Sequence, residues 1–207
     1  YNGHFRGMKQ DVLEGGIRVP AILRWPDGLP RGKSVGEMVH FCDWAPTLAA
    51  AIGILAPGDL PWDGVDMLPV LRGESNNLNP KRFWQFNRYE PASDCNAAMR
   101  DGDWKLYWPR IPQAMQKYEV DNLWYHGMYA VPHFETEIDR TPVIRRLPPP
   151  GKAELYHLGQ DPYEEHDLAE VHPERVSRMK MELENWFEEV NRERCSLPEA
   201  WRGENTR

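Results

Sequence analysis

Lys9 is a residue whose type and place could act on an anion. It stands in Gly7-Met8-Lys9 on a polar, glycine-bearing loop, five residues ahead of Glu14-Gly15-Gly16. The alternating run Ile17, Val19, Ala21, Leu23, Trp25 follows. A long ammonium at such a place can reach a pocket and offset charge on substrate oxygens. His4, on the same loop, can donate a proton or bind an ester. The plainer readings are a solvated surface lysine and an idle loop histidine. Arg18 can hold an anion, although an arginine within a strand more often pairs with a nearby carboxylate. Glu14, Gly15 and Gly16 read as structure, the glycines freeing the backbone to turn tightly.

The elements that would position these residues follow from local pattern. Alternation over residues 17–25 predicts a strand, ended by Pro26, Asp27, Gly28 and Pro30. Asp43 predicts an N-cap, with Pro46 in the first turn and a helix to about Gly53. A short helix is expected over residues 67–71, ending at Gly73. The Asn-rich stretch 75–81 predicts a boundary between residues 1–75 and 76–207. Beyond it, residues 83–89 are aromatic and strand-like, and 97–100 and 104–108 flank the hairpin signal Asp101-Gly102-Asp103. Residues 109–152 read as an irregular excursion that carries His126 and His133. Its Trp124, Tyr125, Tyr129 and Phe134 could line a cleft for a sugar or aryl group, or pack as a flap. A strand over 154–158 leads into an acidic loop, and Pro173 opens a helix to about residue 194. Val176, Met179, Leu183, Trp186, Phe187 and Val190 fall on one face of that helix.

Composition narrows the classes. The chain has 207 residues, 41% hydrophobic and 28% charged, an ordinary balance for a globular protein with a real core. A net charge of -7 argues against nonspecific grip on nucleic acid. No uninterrupted apolar run is long enough to span a bilayer. Cys42, Cys95 and Cys195 are too few and too scattered for a disulfide framework. Nine Trp and 19 Pro predict a loop-rich chain with aromatic plugs. The chain opens on Tyr1 and is expected to be part of something longer.

Gly7-Met8-Lys9, Glu14-Gly15-Gly16-Ile17-Arg18-Val19-Pro20 and Trp25-Pro26 together resemble the signature of the sulfatases. Asp43-Trp44-Ala45-Pro46-Thr47-Leu48 and Asp63-Gly64-Val65-Asp66 resemble further segments of that family, as do residues 100–106 and 154–169. The resemblance implies the C-terminal part of an α/β, alkaline-phosphatase-like sulfatase fold, ending in a small antiparallel sheet packed by one long helix. It implies that Lys9 contacts the sulfate group, with His4 a second substrate-binding candidate. It also implies a formylglycine nucleophile made within C/S-x-P-x-R and a calcium ion that holds the sulfate.

Neither the nucleophile nor its motif is in this sequence. Cys42 begins C-D-W-A-P, and Cys95 begins C-N-A-A-M-R with Arg100 one residue too late. Tyr1 stands where the aspartate of an Asp-Asn-Gly metal pair would stand before Asn2-Gly3, so no metal ligand is assigned. His157, Glu164, Glu165 and His166 lack the H-E-x-x-H spacing and read as a solvated acidic loop. The expected partner is a sulfate-ester small molecule or a sulfated glycan. The family implies a periplasmic, extracellular or lysosomal place; oligomeric state is left open. The isolated chain is expected to be inactive. The alternatives are a phosphodiesterase or phosphonate hydrolase of the same superfamily, and a noncatalytic module that binds a polyanion or sugar.

Overall fold

Gly102 makes the central hairpin possible. Asp101 pairs with Trp104, so the loop is two residues long, and Gly102 takes φ 64 at its first position. A side chain there would face the left-handed penalty. We expect Gly102→Ala to cost about 1–2 kcal/mol of unfolding free energy in a urea titration. In the computed structural model, which describes residues 2–54, 62–75, 78, 80–117 and 146–197, the hairpin lies at the centre of a four-stranded sheet. The strands are β1 (Arg82–Gln85), β2 (Ala97–Asp101), β3 (Trp104–Trp108) and β4 (Glu154–His157), in the order β1-β2-β3-β4. The β2–β3 and β3–β4 pairs are antiparallel.

The sheet is covered on both faces. On one, Ala97, Met99, Leu106, Trp108 and Leu155 pack against Met179 and Leu183 of a long helix, Pro173–Ser196. On the other, Ala98, Tyr107 and Tyr156 pack against Val12 and Leu13. The segment that carries Lys9 is thereby docked on the sheet by its own apolar residues. Tyr1–Arg18 and Phe83–Arg207 form one compact unit, and Val19–Arg82 forms a second. These packing units are cut differently from the 1–75 and 76–207 division expected for the domains.

Five helices are described. They are α1 (Glu14–Ile17), α2 (Trp44–Ile52), α3 (Leu68–Arg72), α4 (Pro112–Met115) and α5 (Pro173–Ser196). A 3-10 turn, Phe41–Asp43, precedes α2, so Asp43 does not cap that helix with its side chain. The C-caps Gly53 and Gly73 both take left-handed conformations, as expected. Among the described residues no helix is long and apolar enough to cross a membrane.

Three expectations need correction. Residues 17–25 form no strand: α1 takes Ile17, and the chain beyond has no ladder partner among the described residues, with Val19 60% and Ile22 95% exposed. Alternation fits a strand, but a strand exists only where another backbone pairs with it. The aromatic strand over 83–89 stops at Gln85, because Asn87 turns the chain. Its side chain accepts from the Ala92 N–H and donates to the Arg88 and Glu90 carbonyls. Val190 is 45% exposed, so the apolar face of α5 fades before the helix ends. The excursion's His126, His133, Trp124, Tyr125, Tyr129 and Phe134 lie outside the described residues.

Candidate functional site: the Lys9 turn and its supports

Lys9 sits at the tip of a tight turn. The Asp11 N–H donates to the Met8 carbonyl at 2.8 Å, and the Met8 N–H donates to Asp11 Oδ2 at 2.9 Å. Gln10, next to Lys9, takes φ 81, an uncommon place for a non-glycine residue. Lys9 is exposed, and its ammonium has no hydrogen bond or ion pair with any described residue. His4 is also exposed, with φ 68. A cavity at the start of α5, lined by His172, Glu174, Arg175 and Arg178 among others, includes no residue of the Lys9 turn.

The turn rests on the two glycines of the motif. A Cβ on Gly16 would lie 2.0 Å from the Asp11 carbonyl oxygen and 2.6 Å from that of Met8. A Cβ on Gly15 would lie 2.4 Å from the Gly7 carbonyl oxygen. Both glycines have ordinary negative φ. Their role is therefore close approach of backbone to backbone, not the freedom to turn that the sequence suggests.

Glu14 is structural, and its partners come from two other motifs. Its Oε1 lies 2.9 Å from the Lys105 ammonium, which is fully buried. Lys105 also lies 2.8 Å from Glu164 Oε1, outside hydrogen-bond geometry, while Glu164 Oε2 accepts from the Glu14 N–H at 2.8 Å. Burial pushes the Glu164 carboxyl above the usual glutamate value; Lys105 and the Glu14 N–H oppose this, and the Glu14 carboxylate charge adds to it. Arg18 makes a 3.9 Å contact to Glu14 Oε2 and lies over the Phe5 ring at 4.6 Å, so it pairs with a carboxylate as its alternative reading required. Arg6 ties the same loop to β4, donating to the Tyr156 hydroxyl at 2.6 Å and the Glu164 carbonyl at 3.0 Å.

In the other unit, the Asp43 motif also reads as structure. Asp43 is fully buried and paired with Arg82. Its carboxylate accepts from the His40 N–H at 2.7 Å and the Val65 N–H at 2.9 Å. Thr47 donates to the Asp43 carbonyl and accepts from the Met67 N–H. Asp43 and Thr47 thus fasten α2 to the segment leading into α3.

The acidic loop divides in two. Glu164 turns inward to Lys105, whereas Asp161, Glu165 and His166 place ligand atoms within 4.8 Å of one another near the surface. Asp161 already accepts from the N–H groups of Glu165 and His166, which makes it the organiser of a turn. Sequence reading passed over Asn96. It is fully buried and bonded on both sides of Asp11, but no local pattern marks it.

Comparison with known proteins places these features. Residues 3–125 match the family described as N-sulphoglucosamine sulphohydrolase, C-terminal. Mouse steryl-sulfatase is 37% identical over 103 residues, covering 50% of this chain and 15% of its own length. Pig N-acetylgalactosamine-6-sulfatase is 26% identical over 179 residues, covering 86% of this chain and 31% of its own length. The chain thus spans less than a third of either relative. A structure from work on glycosaminoglycan metabolism by Bacteroides thetaiotaomicron aligns over 88% of this chain and 32% of its own, with TM-score 0.58 and 23% identity. The structure described as Ps i-CgsB aligns over 100% of this chain and 40% of its own, also with TM-score 0.58, at 21% identity. The chain has the fold of the C-terminal region of the sulfatases and belongs to their N-sulphoglucosamine sulphohydrolase C-terminal family.

Proposed function

We propose that the whole protein hydrolyses sulfate esters, and that Lys9 is the cation that meets the sulfate oxygens. The observation that carries this is an exposed ammonium, without a partner among the described residues, on a turn built by buried and backbone contacts, inside the segment that matches the family. A lysine that bonds to none of the described residues is available to a ligand. As the S–O bond breaks, negative charge grows on the sulfate and leaving oxygens, and a fixed ammonium lowers that barrier. The substrate class is a sulfate-ester small molecule or a sulfated glycan. Related proteins bear names that refer to both steryl and amino-sugar sulfates.

The calcium and formylglycine that the family resemblance implies have no fit among the described residues. Calcium takes six to eight oxygen ligands. The Asp161–Glu165–His166 group offers few, and those of Asp161 are engaged by backbone N–H groups. No step is assigned to either group through this chain. We expect the 207-residue chain alone to show no turnover of an aryl sulfate.

In the full-length protein, Lys9→Ala should lower kcat/KM for an aryl sulfate about a hundredfold, the scale of losing one aimed charge-stabilising donor. The melting temperature should hold, because Lys9 bonds to none of the described residues. Retention of activity within about twofold would refute the assignment.

A further inference from the structure

Lys9 has a long flexible stem and no side-chain partner among the described residues, so its aim depends on where the backbone starts it. Three polar contacts beyond the turn bear on that. Asn96 is fully buried, with φ 46. Its Oδ1 accepts from the Val12 N–H at 3.2 Å, and its Nδ2 donates to the Gln10 carbonyl at 2.7 Å and the Phe86 carbonyl at 2.7 Å. Its own carbonyl accepts from the Phe86 N–H at 3.1 Å. One amide therefore grips the chain immediately after Lys9 while anchored beside the sheet. On the other side of Lys9, Met8 is held by Asp11, and Asp11 lies between the two residues that Asn96 holds.

We propose that Asn96 is the positioning residue for Lys9: it fixes the turn from which the ammonium reaches the sulfate. The inference rests on the assignment of Lys9 as the sulfate-contacting cation. Its chemistry is placement. A shift of about 1 Å in a catalytic group can cost a hundredfold in rate. An amide that fills both donor positions and an acceptor holds the loop more tightly than an apolar contact would.

The test is a double-mutant cycle in the full-length protein. Asn96→Gly keeps the left-handed backbone at no steric cost while removing all three side-chain bonds. We expect Asn96→Gly to lower kcat about tenfold with KM changed less than twofold. In a Lys9→Ala background the same substitution should cost less than about twofold. Equal loss in both backgrounds, or none where Lys9→Ala is itself strongly impaired, overturns the positioning role and leaves the Lys9 assignment standing. Lys9→Ala with unchanged turnover overturns both. Hydrogen exchange separates local from global damage. Asn96→Gly should speed exchange at the Val12 amide while Leu106 and Leu155 stay protected. Loss of protection at Leu106 as well would mean a general folding role and sink the proposal.

Discussion

Lys105→Met should lower the unfolding free energy of this chain by about 3–5 kcal/mol at neutral pH, read from urea denaturation. Lys105 is 0% exposed, and the carboxylates of Glu14 and Glu164 beside it are 4% and 0% exposed. Removing the ammonium leaves two buried like charges. Glu14 would keep only the 3.9 Å contact to Arg18, and Glu164 the N–H of Glu14. The cost is that of an uncompensated buried charge and exceeds the net worth of the pair itself. The sign of the pH dependence follows from Glu164. Its folded value lies above the unfolded reference of 4.5, chiefly through burial, so the folded state binds the extra proton. That contribution is complete below the unfolded value and is lost as pH rises through the folded one. The deficit of Lys105→Met should therefore shrink on acidification towards pH 4.5. Glu164→Gln, with Lys105 intact, should flatten the acid-side slope of wild type. Equal stability of Lys105→Met and wild type at pH 7 would show that water reaches the triad.

Arg82→Met should open the second unit. Asp43 is 0% exposed and Arg82 6%, so the pair is closed to solvent. Two backbone donors, from His40 and Val65, would remain on the Asp43 carboxylate. They place the cost near the low end for a broken buried pair, about 3 kcal/mol. Hydrogen exchange is the measurement. The Val65 and Met67 amides, held by Asp43 and Thr47, should exchange about a hundredfold faster. A second readout is specific to the charge. Burial first, and then the Arg82 cation, hold the His40 imidazole below its ordinary value of 6.5, with Asp43 opposing. Removing Arg82 should move the His40 titration, followed by NMR, upward. An unchanged His40 titration together with unchanged exchange would mean that the pair contributes nothing to this unit.

What could be read from sequence was set by local chemistry. Gly53 and Gly73 end their helices in the left-handed region, Pro173 starts α5, and Gly102 turns the hairpin, each within a few residues of its cause. The strand over 17–25 failed because pairing is supplied from elsewhere, and Pro20 and an exposed Ile22 find no ladder among the described residues. Val190 failed for reasons of length. A 24-residue helix is about 36 Å long, whereas a strand of five residues covers about 17 Å, so the sheet ends before the helix does. Lys9 could be singled out by the resemblance of its motif to the sulfatase signature, but Asn96 could not. Its partners, Val12 and Gln10, are 84 and 86 residues away. Glu14 could be read as structural, but its partners Lys105 and Glu164 could not be named, being 91 and 150 residues distant.

Those separations order events on the ribosome. Residues 2–18 emerge before the surface that receives them, which is built from strands that leave the tunnel much later, and Glu164 later still. Until then Val12 and Leu13 have nothing to cover, and the turn bearing Lys9 has no anchor. Contacts of such long range are slow to form because chain-closure entropy must be met first. The segment proposed to meet the sulfate is thus made before the sheet it docks on but takes shape only with it, and a nascent chain stalled before β4 would carry Lys9 on an unformed loop.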